Sequence, residues 1–150
     1  MLDICIKLKN MGELIKIAVI LIMSLVSSNT EAQESFNLTV KVVEANNNEG
    51  QMMIALYDNS TDFLEKTFKG KKSEISNNGC VVIFENVPEG TYAVSIFHDE
   101  NENEKLDSNF IGIPKEDYGC SNDAKGFMGP PKWEDAKFEL TSDKTITITL

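Results

Sequence analysis

The 150-residue chain contains no arginine: all 14 basic residues are lysines, set against 24 acidic ones, and the formal net charge is -10. Without a guanidinium there is no planar fork for gripping phosphate or carboxylate through two parallel hydrogen bonds. Without a basic surplus nothing displaces counterions from a nucleic acid, so nucleic acid is not an expected partner. Histidine and tryptophan each occur once, at His98 and Trp133, and one imidazole with a few cysteines falls short of a zinc ligand set. Only 8% of the residues are aromatic, and a chain of this length forms one modest core, which excludes a multidomain enzyme. No Gly-rich phosphate loop stands between a strand and a helix, and no Ser-His-Asp arrangement has a motif behind it.

Long apolar runs are confined to the N-terminus. Lys7, Lys9 and Lys16 precede the run from Ile17 to Met23, which continues through Leu25 and Val26 and gives way at Ser27 to small and polar residues ending in Thr30-Glu31-Ala32. A charged region, a short apolar region and a small-residue boundary read as a signal peptide over residues 1–32, with the mature chain starting at Gln33. An uncleaved anchor is the alternative, although the run is short for a bilayer. Met11 as initiator would leave a tidier charged region. Cys5 precedes the apolar run, where a lipoprotein attachment site is not found. The expectation is therefore an exported protein, periplasmic or extracellular, that meets the membrane only during export. Residues 1–32 carry three charges of each sign, so the net charge of -10 belongs to a single domain over 33–150. That domain keeps Cys80 and Cys120, compatible with one disulfide or with two buried thiols.

Phe36, Leu38, Val40 and Val42 alternate with polar residues, the period of a strand with one buried face. Met52 to Tyr57 is a short apolar run bounded by Asp58-Asn59-Ser60 and reads as a strand buried on much of both faces. A weaker strand is expected around Ser73 to Ser76, followed by the tight-turn sequence Asn77-Asn78-Gly79. Cys80–Phe84 and Thr91–His98 read as central strands joined by the turn Asn86-Val87-Pro88-Glu89-Gly90. From Asp99 to Trp133 periodicity is lost while Gly112, Pro114, Gly119, Gly126, Gly129, Pro130 and Pro131 accumulate, so a long ordered loop is expected, and such loops in small domains tend to carry function. Ala136, Phe138 and Leu140, then Ile146, Ile148 and Leu150, restore the alternation. About seven short strands without helical crossovers predict an all-β, antiparallel sandwich of the immunoglobulin-like or prealbumin-like kind. A small barrel is the second choice.

The segment HDENENEKLDSNF, residues 98–110, carries the sharpest chemical signal. Asp99, Asn101 and Asn103 recur at alternate positions, Lys105 can lend its backbone carbonyl, and Asp107 stands at the ninth place, which is the oxygen-ligand spacing of a calcium loop. Leu106 fills the apolar eighth place. Glu104 stands where a sharp turn normally has Gly, and Phe110 stands where a bidentate Glu is expected, so the site would need ligands from elsewhere. The competing account is a solvated acidic hairpin tip. Asp99, Glu100, Glu102, Glu104 and Asp107 nevertheless crowd five carboxylates into nine positions, a repulsion that a hard cation would relieve, and oxygen donors suit calcium better than a transition metal.

His98 beside Asp99 is not a ready acid–base dyad, because neighbouring strand residues face opposite sides. Abundant carboxylates keep a paired-carboxylate glycosidase open as an alternative. Phe110, Tyr118, Phe127 and Trp133 either form a binding platform for a sugar or peptide or plug the open end of the sandwich, the latter being the more ordinary role of loop aromatics.

The ordered set Pro-Glu-Gly-Thr-Tyr (88–92), His-Asp-x-Asn-x-Asn-x-x-x-Asp (98–107), Gly-x-Pro-Lys-Glu (112–116), Ser-Asn-x-Ala (121–124), Gly-Pro-Pro (129–131) and Asp-Ala-x-Phe (135–138) resembles the bacterial domain-of-unknown-function family two-one-four-one over nearly all of the mature chain. The resemblance implies an exported β-sandwich with no established enzymatic activity. Where this chain has Glu102 or Glu104, that family often has Gly. The function expected is a non-enzymatic binding or accessory domain, calcium-stabilised through Asp99, Asn101, Asn103, Lys105 and Asp107, that meets a protein or glycan through residues 99–133. The alternatives are a small carbohydrate-acting hydrolase and an envelope component without a small ligand.

Overall fold

In the computed structural model the described residues are 33–127 and 129–150; the expected signal peptide, 1–32, lies outside them. Eight strands follow one another: β1 (Ser35–Val43), β2 (Gln51–Tyr57), β3 (Lys69–Glu74), β4 (Cys80–Pro88), β5 (Gly90–Asp99), β6 (Tyr118–Cys120), β7 (Phe138–Leu140) and β8 (Lys144–Thr149). They form a three-stranded sheet in the order β4-β1-β8 and a five-stranded sheet in the order β3-β2-β5-β6, with β7 also paired to β5. All pairings are antiparallel except β1 with β8. Among the described residues helix is limited to the single turn α1 (Trp133–Ala136) and a 3-10 turn at Ser121–Asp123. Among the described residues no helix is long and apolar enough to cross a membrane.

The alternation read in the sequence builds the core. Leu38, Val40 and Val42 of β1, Val82 and Phe84 of β4 and Ile148 of β8 pack against Met52, Ile54 and Leu56 of β2 and Tyr92, Val94 and Ile96 of β5. Two apolar sheet faces thus close on each other and remove water from both. Tyr92 ties the start of β5 by donating its hydroxyl to the Pro88 carbonyl (2.9 Å), the arrangement of a tyrosine corner.

β4 departs from its expected central place. It lies at the edge of the three-stranded sheet, and only Glu89 separates it from β5 in the other sheet. Its outward residues Val81 and Ile83 are exposed accordingly. The facing edge strand β3 covers the open carbonyls: Lys71 Nζ donates to Ile83 O (2.6 Å) and Lys69 Nζ to Glu85 O (3.2 Å). Charged side chains there discourage pairing with another chain. β3 begins earlier than its apolar content suggested, at Lys69, because register with β2 and not hydrophobicity decides it. The expected turn forms at Asn77-Asn78, both with positive φ (52° and 59°), closed by a Ser76–Gly79 bridge, as a type I′ hairpin turn requires.

Candidate functional site

β5 and β6 are two arms of a hairpin whose long connection begins with the acidic loop. Asp99, the last residue of β5, is fully buried. Its Oδ1 accepts from Asn103 N (3.0 Å), and its Oδ2 accepts from Glu104 N and from Gln51 Nε2, both at 2.9 Å. Burial opposes ionisation here, but the bonds from Gln51 and from the backbone of Glu104, Asn103 and Glu102 outweigh it and hold the carboxyl below the ordinary aspartate range. Asn101 Oδ1 accepts from Asn103 N (3.1 Å) and Asn103 Oδ1 from Lys105 N (2.8 Å), two side-chain turns that fold the segment on itself. The two carboxamides then donate to Asp107, Asn101 to Oδ2 (2.7 Å) and Asn103 to Oδ1 (3.2 Å).

Asp99, Asn101, Asn103 and Asp107 are therefore gathered into one hydrogen-bonded ring, to which Lys105 contributes its N–H. The sharp turn forms without glycine: Glu102 and Glu104 take positive φ of 58° and 61°, which Asp99 supports by accepting the Glu104 N–H. Among the described residues no three His, Cys, Asp or Glu side chains gather as a metal site; the ring holds two carboxylates and two carboxamides.

Glu116 is the residue that sequence reading missed. It returns from the far side of the connection, is buried, and accepts from Glu100 N through Oε1 (3.2 Å) and from Asp107 N through Oε2 (2.8 Å). Nothing in its spacing from Asp99 announces this, because the β5–β6 register brings it back. The β1–β2 turn braces the same loop, with Asn47 Nδ2 donating to Glu100 Oε1 (3.0 Å) and Asn46 to Asp117. Gly50 of that turn has φ +65°, and a Cβ there would stand 2.1 Å from Asp99 O and 2.7 Å from Glu100 Cα. Gly50→Ala should therefore destabilise the domain by more than about 1 kcal/mol, read as a lowered urea midpoint; an unchanged midpoint would show that the loop does not rest on this turn.

His98 faces the sandwich interior and is fully buried. Its Nε2 lies 2.7 Å from Glu49 O, while its Nδ1 has no hydrogen-bond partner and lies 4.0 Å from Glu100 Oε1. Cys80 and Cys120 are free thiols, one in each sheet. Burial pushes the Cys120 thiol up to about 11, far from the thiolate a nucleophile needs.

The connection does more than fold on itself. Its second half forms a small hairpin, with Lys115 N bonded to Asp107 O (2.8 Å) and Asn109 N to Ile113 O (2.8 Å). With Pro130 and Pro131 it borders a cleft of about 1220 Å³ over the outer face of the five-stranded sheet. The floor is Met53, Ala55 and Tyr57 of β2, Ser95 and Phe97 of β5 and Tyr118 of β6; the walls are Leu64 and Thr67 on one side and Leu106, Ile111, Ile113 and Pro114 on the other. At the rim Lys72 Nζ meets Glu104 Oε1 at 2.9 Å, a bond and a charge that raise the lysine above its ordinary range.

The expected aromatic plug is carried by one residue alone. Trp133 packs edge-on against Phe63 (5.7 Å between centroids), which does the same against Tyr57 (5.3 Å). Phe110 and Phe127 are 98% and 92% exposed, and Tyr118 is 46% exposed. Trp133 alone of the four packs against the small cluster of Tyr57, Phe63, Ala93, Cys120 and Ala136.

No curated protein and no solved structure is similar to this chain. A bacterial family described as "Uncharacterized protein conserved in bacteria (DUF2141)" matches residues 40–149, the whole of both sheets apart from the start of β1, and the chain belongs to that family.

Proposed function

We propose that the protein is an exported, non-enzymatic binding domain whose interaction surface is the connection over residues 99–133 and whose acidic loop takes calcium. The observation that carries this reading is that one segment supplies both parts: its first half holds the oxygen ring, and its second half walls the apolar cleft. Wide apolar clefts with few polar groups are the ordinary form of ligand sites. The carboxylates of Asp99 and Glu116 are turned to backbone N–H groups and not to the cleft, which favours a binder over a carbohydrate-acting hydrolase. In the calcium-loaded loop, Asp99, Asn101, Asn103, Asp107 and the Lys105 carbonyl would supply the oxygens, and the cation would replace the carboxamide donors now satisfying Asp107.

Millimolar calcium should raise the melting temperature of the 33–150 domain by several degrees, because a ligand that binds only the folded state stabilises it by mass action. The double variant Asn103→Ala/Asp107→Ala, altered at positions outside the core, should keep the fold and lose the gain. Identical melting curves in calcium and in chelator would refute the calcium part of the reading.

A further inference from the structure

Two loop tips beside the cleft expose what a folded chain ordinarily buries. Phe110 and Phe127 are the most exposed large apolar side chains among the described residues, and Ile111 and Ile113 stand next to the first at 63% and 55%. Both tips border the same cleft, one through Ile111 to Pro114 and the other through Gly126 and Gly129. The two rings themselves stand clear of it, so a small molecule lying in the cleft would leave them in water. They suit an apolar phase that takes its shape around them.

The first tip can leave water at low cost. Asn109 Oδ1 accepts from Ile111 N and from Ile113 N, both at 3.0 Å, and Asn109 O accepts from Gly112 N at 2.9 Å. The turn thus satisfies the backbone donors of residues 111–113 within itself, and Pro114 has none, which is what entry into an apolar layer requires of a backbone. The second tip turns so tightly that Gly129 O leaves no room for a Cβ on Gly126.

The charge beside the tips differs from that of the chain as a whole. Residues 108–115 and 124–133 hold no acidic residue, and their only charges are Lys115, Lys125 and Lys132, all exposed. The acids that bound these stretches are engaged: Asp107 by the carboxamides of Asn101 and Asn103, Glu116 by backbone N–H groups, Asp117 by Asn46, Asp123 by Thr149 N and Glu134 by Lys137. Of the carboxylates in the cleft, Glu104 is paired with Lys72, and Glu65 lies on the opposite wall beside Leu64. Exposed apolar tips flanked by lysines match a phospholipid surface, where hydrocarbon lies just beneath phosphate. The lysines act there as point charges, for which no guanidinium fork is needed.

We infer that the two tips dock on a phospholipid bilayer, with Phe110, Ile111 and Phe127 in its interfacial layer and Lys115, Lys125 and Lys132 at the level of the phosphates. This rests on the binding-domain reading above, names the partner, and extends membrane contact beyond the export step.

The test uses the 33–150 chain, which holds both sheets and the core, with sedimentable vesicles of phosphatidylethanolamine and phosphatidylglycerol in chelator, so that calcium plays no part. The chain should sediment with the vesicles at low salt. Phe110→Ser and Phe127→Ser should each lower the partition coefficient about tenfold, as for an apolar ring withdrawn from burial, and leave the melting temperature unchanged. Lys115→Gln/Lys125→Gln/Lys132→Gln should lower it about fivefold per lysine and remove most of its salt dependence. In parallel, the uncharged fluorophore N-phenylnaphthylamine without lipid reports on the cleft, where it should brighten in the wild type and not in Leu64→Asp/Ile113→Asp. A folded wild type that stays in the supernatant while the fluorophore brightens would overturn the bilayer inference and leave the binding surface in place. Sedimentation unaffected by the phenylalanine changes would also overturn it, as would a lipid-free dimer that those changes dissociate and that does not sediment. Absence of both sedimentation and brightening would overturn the binding-domain reading as well.

Discussion

Asp99→Ala is expected to cost the domain about 3 kcal/mol, since it strips a buried carboxylate from three donors at once and hydrogen bonds to charged groups are individually worth about 1.5–3 kcal/mol without being additive. The donors are Gln51 Nε2 and the backbone N–H groups of Asn103 and Glu104. Left in place without an acceptor, they would either stay unsatisfied or open the loop to water. Opening releases Glu104 from its left-handed conformation and with it the Lys72 contact at the rim of the cleft. The expected signature is therefore a lower urea midpoint together with faster amide exchange over residues 100–107. Asp99→Asn, which keeps one carbonyl oxygen, should lose less. A midpoint within the error of wild type would show that the loop stands without this carboxylate.

The same residue gives the protein a pH dependence with a definite sign. In chelator, so that no cation shares the carboxylate, Asp99 titrates in the folded state below its ordinary value of about 3.9. Its contribution is complete above that ordinary value and is lost as the pH falls through the lower folded one. Asp99→Asn should flatten this part of the acid limb of a stability–pH profile and leave the neutral region level.

Phe84→Ala is expected to be the other severe change, at about 3–5 kcal/mol for removal of a buried aromatic ring with incomplete collapse of the space. Phe84 is 1% exposed and is the largest fully buried side chain among the described residues. It fills the gap between the sheets at the β4 edge, where no ladder joins β4 to β3 and the ring lies 5.8 Å beneath the Lys71 ammonium. Its loss should lower the global unfolding midpoint and raise exchange throughout β1 and β4, in contrast to the local opening expected at Asp99. With total stabilities of about 5–15 kcal/mol typical of single domains, Phe84→Ala leaves little margin, and Phe84→Leu serves as the folded comparison. A loss below about 1 kcal/mol would place the stabilising core elsewhere.

Much of the fold was legible because a strand with one buried face writes its period into the chain. Phe36 to Val42 and Phe138 to Leu140 could be read residue by residue. The same logic failed for β3, whose sequence Lys-Gly-Lys-Lys-Ser-Glu carries no apolar alternation. It is a strand only because β2 offers it a partner. Periodicity also cannot say which sheet a strand joins, so β4 looked central although it is an edge.

The candidate loop divides in the same way. The alternation of Asp99, Asn101, Asn103 and Asp107 determined its own local folding, since short carboxylate and carboxamide side chains bond the backbone two to five residues on. That is a local property, and sequence spacing contains it. The placement of Glu116 behind the loop, the support from Gly50 and Gln51, and the cleft between the Ile113 hairpin and the outer sheet face are non-local. They depend on the antiparallel register of β5 with β2 and β6, fixed by packing across the whole sandwich. The absence of arginine and the surplus of acid, visible from composition alone, excluded an anion-gripping site. Only the tertiary structure decided where part of that acidity would stand: around an oxygen ring at one end of β5, with Glu116 returned behind it, because the chain between Asp99 and Tyr118 must return to the sheet it leaves.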